Sequence, residues 1–212
     1  MNLKVRTMLE QLFTAFTKKY NDPIKSWNRF LEFIAIDNFF PILAELDYNL
    51  AWFCENKEFL ESVMDIYNSQ CLKSDYYDHL GELYWDKILS KKYISQTSNS
   101  YLISPSYTKR IMEDNNKNRK RTILVKAVGS GRTIMEYHKY YSNSIFFGIE
   151  PDLRLYRIAL TNCLIHNIPA YLLHANLQKY EVDISTKEGN YNWRFYNKWR
   201  SQMNNMLPKI KK

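Results

Sequence analysis

The chain is poor in glycine and in cysteine, with five and three of each among 212 residues. The cysteines form no Cys-x-x-Cys pair and no Cys/His spacing that suits zinc, so no metal site is predicted. No run approaches about 18 uninterrupted apolar residues, and the amino terminus lacks the apolar segment and cleavage site of a secretory signal. These absences exclude a disulfide scaffold and a membrane partner. They favour a cytoplasmic protein with reduced, buried thiols.

The composition is sufficient for a folded, basic protein. Hydrophobic residues make up 45% of the chain and aromatic residues 16%, enough for a sizeable core. Thirty Lys and Arg against 22 Asp and Glu give a formal charge of +8. The charge favours an anionic partner, with DNA as the first candidate, and the alternative is a merely basic surface.

The first part of the chain has helical periodicity. Apolar residues recur at helical spacing up to Phe16, and Asn21-Asp22-Pro23 suits a cap followed by the first residue of a second helix. Pro41 indicates a further helix start or a kink. We therefore predict a helical amino-terminal region over residues 1–92 and a separate α/β domain over residues 93–212.

Short apolar runs and amphipathic segments alternate in the second part. The runs are "TILVKAV", "SIFFGIE" and "IPAYLLHA", and "RTIMEYHKYY" and "PDLRLYRIALTNCLIHN" separate them. Strand, helix, strand, helix, strand predicts parallel pairing with right-handed crossovers. The predicted fold class is α/β, with a partial doubly wound, Rossmann-like sheet after the helical region.

Two of the five glycines, Gly129 and Gly131, flank Ser130 between the first run and its helix. Such a turn lets backbone approach a ligand at the carboxyl ends of parallel strands. Glu150 ends the second run, where an acid can accept both hydroxyl hydrogens of a ribose; Asp152 is an alternative acceptor or the N-terminal acid of the next helix. Ile134 stands where a third glycine would bind a pyrophosphate. This pattern favours S-adenosylmethionine over a dinucleotide.

Residues 78–177 resemble the adenine-N-6 DNA methyltransferases of restriction-modification and phage type. The resemblance rests on "DHLGELY", "SYLISPSYTKRIM", "VKAVGSGRTIM" and "FFGIEPDLRLYRIALTNCLIHN", in the family's order. It implies a Rossmann-like S-adenosylmethionine methyltransferase sheet and a set of cofactor-binding positions. These are Ile103, Ser104 and Pro105 over the methionine end; Ala127, Gly129, Ser130 and Gly131 in the turn; Glu150 at the ribose; and Asn176 beside the adenine.

The sequence departs from this family at two places. Val125-Lys126 replaces the acid-proline pair before the turn, and the D/N-P-P-Y/F tetrapeptide that orients the flipped adenine is absent from the chain. No catalytic residue is therefore assigned. The tail after Leu177 is too short for the remaining strands of a full sheet, and its aromatic segment "GNYNWRFYNKW" either imitates the missing motif or anchors the tail or a partner.

Two functions follow as expectations. The first is an S-adenosylmethionine-dependent DNA adenine methyltransferase-like protein, inactive alone unless a partner chain or the tail completes it. The second is a non-catalytic module that binds DNA or protein as regulator, subunit or decoy; a methyltransferase for RNA or a small molecule is a third. The first strand would lie at an open edge, which favours a homodimer or a partner subunit. Basic residues are expected near the cofactor side, including Arg119, Lys120, Arg121 and Arg132.

Overall fold

A computed structural model describes residues 2–44, 50–89, 119–125, 127–176 and 181–182. Six helices come first: α1 (Leu3–Tyr20), α2 (Pro23–Ala44), α3 (Leu50–Glu55), α4 (Lys57–Met64), α5 (Ser69–Ser74) and α6 (His79–Lys87). The α/β part follows as β1 (Thr122–Val125), α7 (Arg132–Tyr140), β2 (Ile145–Glu150), α8 (Leu153–Ile165), β3 (Ala170–Asn176) and β4 (Glu181–Val182). None of the helices in these ranges is both long and apolar enough to cross a lipid bilayer.

The junction between α1 and α2 confirms the helix boundary predicted there. Asn21 takes the left-handed conformation at φ 51°, and its N–H donates to the carbonyl of Thr17 at 2.9 Å. Asp22 accepts a hydrogen bond from the Lys25 N–H at 2.7 Å, and Pro23 opens α2. The helix start expected at Pro41 is wrong, because α2 continues through this residue to Ala44.

Aromatic rings form the core of the helical part. The rings of Phe13, Phe16, Trp27 and Phe30 lie within 5.2–6.1 Å of their neighbours, several of them edge to face. All four side chains are buried. The helical periodicity seen in the sequence is therefore the spacing of core residues.

The strands form one small sheet in the order β1-β2-β3-β4. The β1–β2 and β2–β3 pairs are parallel, as predicted, and β4 pairs antiparallel to the end of β3. The protein is thus a mixed α/β structure with a three-stranded parallel sheet. The short antiparallel strand had no counterpart in the sequence pattern, since two residues are too few to show a period.

Helix α8 lies between the sheet and the helical part. Tyr156, Ala159 and Cys163 pack with the sheet core, whereas Ile158 and Ile165 belong to the aromatic core of the amino-terminal helices. This double packing positions the start of α6 beside the turn that follows β1. The division into separate domains at residues 92 and 93 stays a prediction.

Candidate functional site

The segment between β1 and α7 forms a glycine turn, which we define as residues 127–131. Gly129 and Gly131 have φ values of 58° and 92°, where residues with a Cβ are strained. A Cβ at Gly131 would lie 3.1 Å from the Cα of Ala159, so this glycine also permits close packing of α7 against α8. A Cβ at Gly129 would meet no atom within 4 Å. The backbone at Gly129 therefore borders open space, which a ligand can occupy.

Glu150 is the last residue of β2, as the sequence predicted, and its carboxylate faces the glycine turn. One oxygen accepts the Gly129 N–H at 2.8 Å and the other accepts the Asp152 N–H at 3.0 Å. The side chain is only 6% exposed. Burial raises its pKa, although these two backbone donors oppose the shift. A carboxylate has about four lone-pair positions, so both oxygens keep the capacity to accept ligand hydroxyls.

Asp152 caps α8, which decides between the two roles expected for it. Its Oδ1 accepts from the Arg154 N–H at 2.8 Å, and the Arg154 guanidinium pairs with its Oδ2 at 3.1 Å. Burial opposes ionisation of Asp152, but the hydrogen bonds from Arg154 outweigh it and lower the pKa. Glu150 is therefore the carboxylate nearer to the turn, while Asp152 fixes the start of the next helix.

Asp78, from the helical part, lies directly behind the turn. It caps α6 by accepting the Gly81 N–H at 2.8 Å, and its other oxygen accepts the Ser130 hydroxyl at 2.5 Å. Asn162 of α8 donates to the same carboxylate at 2.7 Å and to the Ser130 carbonyl at 2.9 Å. Both polar groups of Ser130 beyond its N–H are therefore bonded to protein.

Charged groups extend this contact network along α7. The Arg132 guanidinium pairs with Asp78 at 3.3 Å and with Glu82 at 3.4 Å, and it lies over the Tyr77 ring. The Tyr77 hydroxyl donates to Glu82, and burial together with that carboxylate raises the pKa of Tyr77 to about 12. Burial likewise raises the pKa of Asp78, against the opposing effect of Arg132. The described charged residues of the network comprise four carboxylates and two guanidiniums: Asp78, Glu82, Glu150, Asp152, Arg132 and Arg154.

His174 flanks the site from β3, where it is the register partner of Glu150. Its Nε2 donates to the Pro151 carbonyl at 3.0 Å and so braces the loop between β2 and α8. The Nδ1 atom is buried without a hydrogen-bond partner among the described residues. No group of three or more His, Cys, Asp or Glu in the described ranges is arranged to hold a metal ion.

The remaining predicted site residues are placed unequally. Ala127 is exposed at the start of the turn, and Asn176 ends β3 at the same edge of the sheet as Glu150. Ile103, Ser104, Pro105 and Lys126 lie outside the described residues. Arg119, Lys120 and Arg121 precede β1 and lie at the opposite, amino end of the strands, so their expected position on the cofactor side is wrong. Arg132, by contrast, lies beside the turn.

Sequence reasoning missed Asp78 and Asn162 as members of the site. The only local signal for Asp78 was its place at the head of "DHLGELY", and Asn162 was a single amide within an otherwise apolar helix. Both side chains are almost fully buried. A buried polar residue needs partners, but the sequence does not say which ones.

Comparison with known proteins adds no assignment: no protein-family model, curated protein or solved structure matches this chain.

Proposed function

We propose that this chain is an S-adenosylmethionine-binding, DNA adenine methyltransferase-like protein whose cofactor lies against the glycine turn. The observation that supports it most is the hydrogen bond between the Gly129 N–H and the Glu150 carboxylate. It joins an open glycine turn to a buried acid at the carboxyl ends of two adjacent parallel strands. Ligands of open α/β sheets bind at such strand ends.

The residues present suit a nucleoside cofactor. Glu150 would accept the ribose hydroxyls, and the open space at Gly129 would admit the ligand close to the backbone. Asn176, at the end of β3, would lie toward the adenine. When bound, S-adenosylmethionine supplies a methyl group on a sulfonium centre, whereas the chain supplies binding and orientation.

Charge favours this cofactor over a nucleotide phosphate. The network around the turn has a formal charge of −2, from the four carboxylates and two guanidiniums named above. S-adenosylmethionine bears a sulfonium and an ammonium, whereas ATP and NAD bear phosphates. Since like charges repel most strongly in partly buried sites, an anionic ligand is disfavoured here.

The charge distribution along the chain supports DNA as a partner of the α/β part. Residues 1–89 contain nine Lys and Arg against 14 Asp and Glu, a net charge of −5. Residues 90–212 contain 21 against eight, a net charge of +13. A polyanion would therefore contact the second part of the chain and avoid the helical part. Exposed Arg119 and Lys120 are the described basic residues best placed to test this.

A second candidate function is a non-catalytic binding module. It is favoured by the absence of the D/N-P-P-Y/F tetrapeptide from the whole sequence. Without that motif the chain lacks the family's acceptor for the target amino group, so methyl transfer would need a partner chain or the aromatic tail. Cofactor binding without methyl transfer to DNA would select this alternative.

A partner strand can pair with β1. Within the described residues β1 is hydrogen-bonded to β2 alone, and Leu124 is 57% exposed. We propose a homodimer or a partner subunit that completes the sheet at this edge. Sedimentation of the purified chain tests the first form: a strict monomer at micromolar concentration would rule out the homodimer.

Titration calorimetry tests the cofactor. We expect S-adenosylmethionine to bind, ATP and NAD to bind far more weakly, and Glu150→Ala to lose at least about tenfold in affinity, the effect of one or two charge-assisted hydrogen bonds. Glu136→Ala is the matched control, because it removes a glutamate paired with Lys139 on α7. The cofactor assignment fails if the native chain does not bind S-adenosylmethionine, or if both variants bind it equally well.

DNA binding is tested separately on the full chain. The double substitution of Arg119 and Lys120 by Ala should weaken binding to a duplex and reduce its salt dependence by about two charges. The control pair is Lys18→Ala with Lys73→Ala, which removes two exposed charges from the helical part. Equal losses in the two double variants would contradict the proposed DNA-facing part. A methyl-transfer assay with radiolabelled cofactor then separates the enzyme from the binding module.

A further inference from the structure

We infer that Asp78 is a positioning residue for the glycine turn, so that the helical part of the chain forms the back of the ligand site. The identity of the ligand rests on the function proposed above. The positioning itself depends only on the contacts between Asp78 and the turn.

Asp78 receives more donors than a helix cap requires. A cap needs one acceptor for a backbone N–H of the first turn, which the Gly81 contact provides. Three further groups converge on the same carboxylate: the Ser130 hydroxyl at 2.5 Å, the Asn162 amide at 2.7 Å and the Arg132 guanidinium at 3.3 Å. Burying a carboxylate to 2% exposure is costly, and these donors offset that cost only while the turn stays in place.

The turn is held from two directions by these contacts. Asp78 holds the Ser130 hydroxyl and, through Asn162, its carbonyl, while Glu150 holds the Gly129 N–H. A turn containing two glycines has large conformational freedom when it is not restrained. Fixing it before a ligand arrives removes an ordering cost from binding, and this is the step that Asp78 would control.

The groups left for a ligand follow from this arrangement. The Ser130 hydroxyl faces Asp78, so it is a structural donor and not a direct ligand contact. The open side of the turn is then the Gly129 backbone together with the Glu150 carboxylate. Affinity should consequently depend on Ser130 only through the conformation of the turn.

Hydrogen–deuterium exchange of the ligand-free chain tests the positioning role. Asp78→Asn and Ser130→Ala should each accelerate exchange in the peptide covering residues 127–135 by about tenfold, as expected for a lost hydrogen bond to a charged group. The matched control is Asn68→Ala, which removes the side-chain cap of α5. It lowers stability through a cap alone and should leave exchange in that peptide unchanged.

A double variant and the cofactor complete the experiment. If Asp78→Asn does not fold, Ser130→Ala alone decides, and where both fold the double variant should exchange no faster than the faster single variant. Turn exchange that matches the Asn68→Ala control would overturn the inference. S-adenosylmethionine affinity should fall about tenfold in both Asp78 and Ser130 variants and stay unchanged in the control. If the native chain binds no S-adenosylmethionine, the proposed cofactor fails while the exchange result still stands or falls by itself.

Discussion

The hydroxyl of Ser130 donates to the buried carboxylate of Asp78 across 52 positions of sequence. Asp78 belongs to the helical part and Ser130 to the glycine turn of the sheet, so one hydrogen bond joins the two parts at the candidate site. Asn162 donates to both residues and completes the contact from α8. The helical part therefore shapes the turn directly, in addition to covering α8.

Gly81→Ala should reverse the usual effect of alanine in a helix. Alanine normally stabilises a helix relative to glycine by about 1 kcal/mol. Here the added Cβ would overlap the Asp78 carboxylate, which cannot move without losing Ser130 and Asn162. We expect a loss of at least about 2 kcal/mol in the free energy of unfolding, measured by urea denaturation. Stabilisation by the substitution would show that Asp78 is not fixed in place.

The two glycines of the turn should respond differently to alanine. Both have positive φ, so each Gly→Ala change costs about 1–2 kcal/mol in backbone strain. At Gly131 the new Cβ would also press on Ala159 at 3.1 Å, whereas at Gly129 it would enter open space. We therefore expect Gly131→Ala to destabilise the protein more, by about 1–3 kcal/mol beyond Gly129→Ala.

Ligand affinity should show the opposite order. The methyl group of Gly129→Ala would occupy the space into which we place the cofactor, so this variant should lose affinity although it is the more stable of the two. Calorimetry at a temperature where both variants are folded measures this. Full affinity in Gly129→Ala would mean that the ligand does not approach the turn from the open side.

Local patterns in the sequence predicted the elements that local chemistry determines. Pro23 after Asn21-Asp22 opened a helix, alternating apolar runs gave the parallel strands, and Glu150 ended β2 as expected. Each of these depends on residues within a few positions of one another. The positive φ values at Gly129 and Gly131 belong to the same class, because a strand-to-helix turn demands them wherever it occurs.

The contacts that complete the site depend on distant residues. Nothing near Asp78 in the chain announces Ser130 as its partner, and the double packing of α8 appears only when two cores meet on opposite faces of one helix. Arg121 was misplaced for a related reason: a basic residue before a strand lies at the strand's amino end, where it contacts the Tyr141 ring. Composition gives the number of charges but not the end of the sheet on which they lie.

Two cysteines should differ sharply in their reactivity. Cys54 is exposed on α3, contrary to the expectation of buried thiols, whereas Cys163 is buried in α8 and burial raises its pKa to about 12. At pH 8 only about one Cys163 in ten thousand would be a thiolate, the form that reacts.

Iodoacetamide should therefore label Cys54 in the native protein and Cys163 only after unfolding, as read by peptide mass spectrometry. The same labelling in urea is the control, because both thiols should then react. Comparable native rates at the two positions would contradict the packing of Cys163 between α8 and the sheet.

Acid should destabilise the protein through His166. Burial lowers its pKa from 6.5 to about 4, and the ring lies 4.7 Å from that of Tyr76. Below pH 6.5 the unfolded chain therefore binds a proton that the folded chain excludes, so the free energy of unfolding falls as the pH drops from 6.5 toward 4. His166 alone should account for roughly 2–3 kcal/mol of this fall. Urea denaturation of His166→Phe, which keeps a ring but cannot titrate, should show a correspondingly shallower decline. Some acid sensitivity will persist, because burial also lowers the pKa values of His79 and His138. Identical acid slopes in the two proteins, after matching them at pH 8, would mean that His166 is not held neutral by the fold.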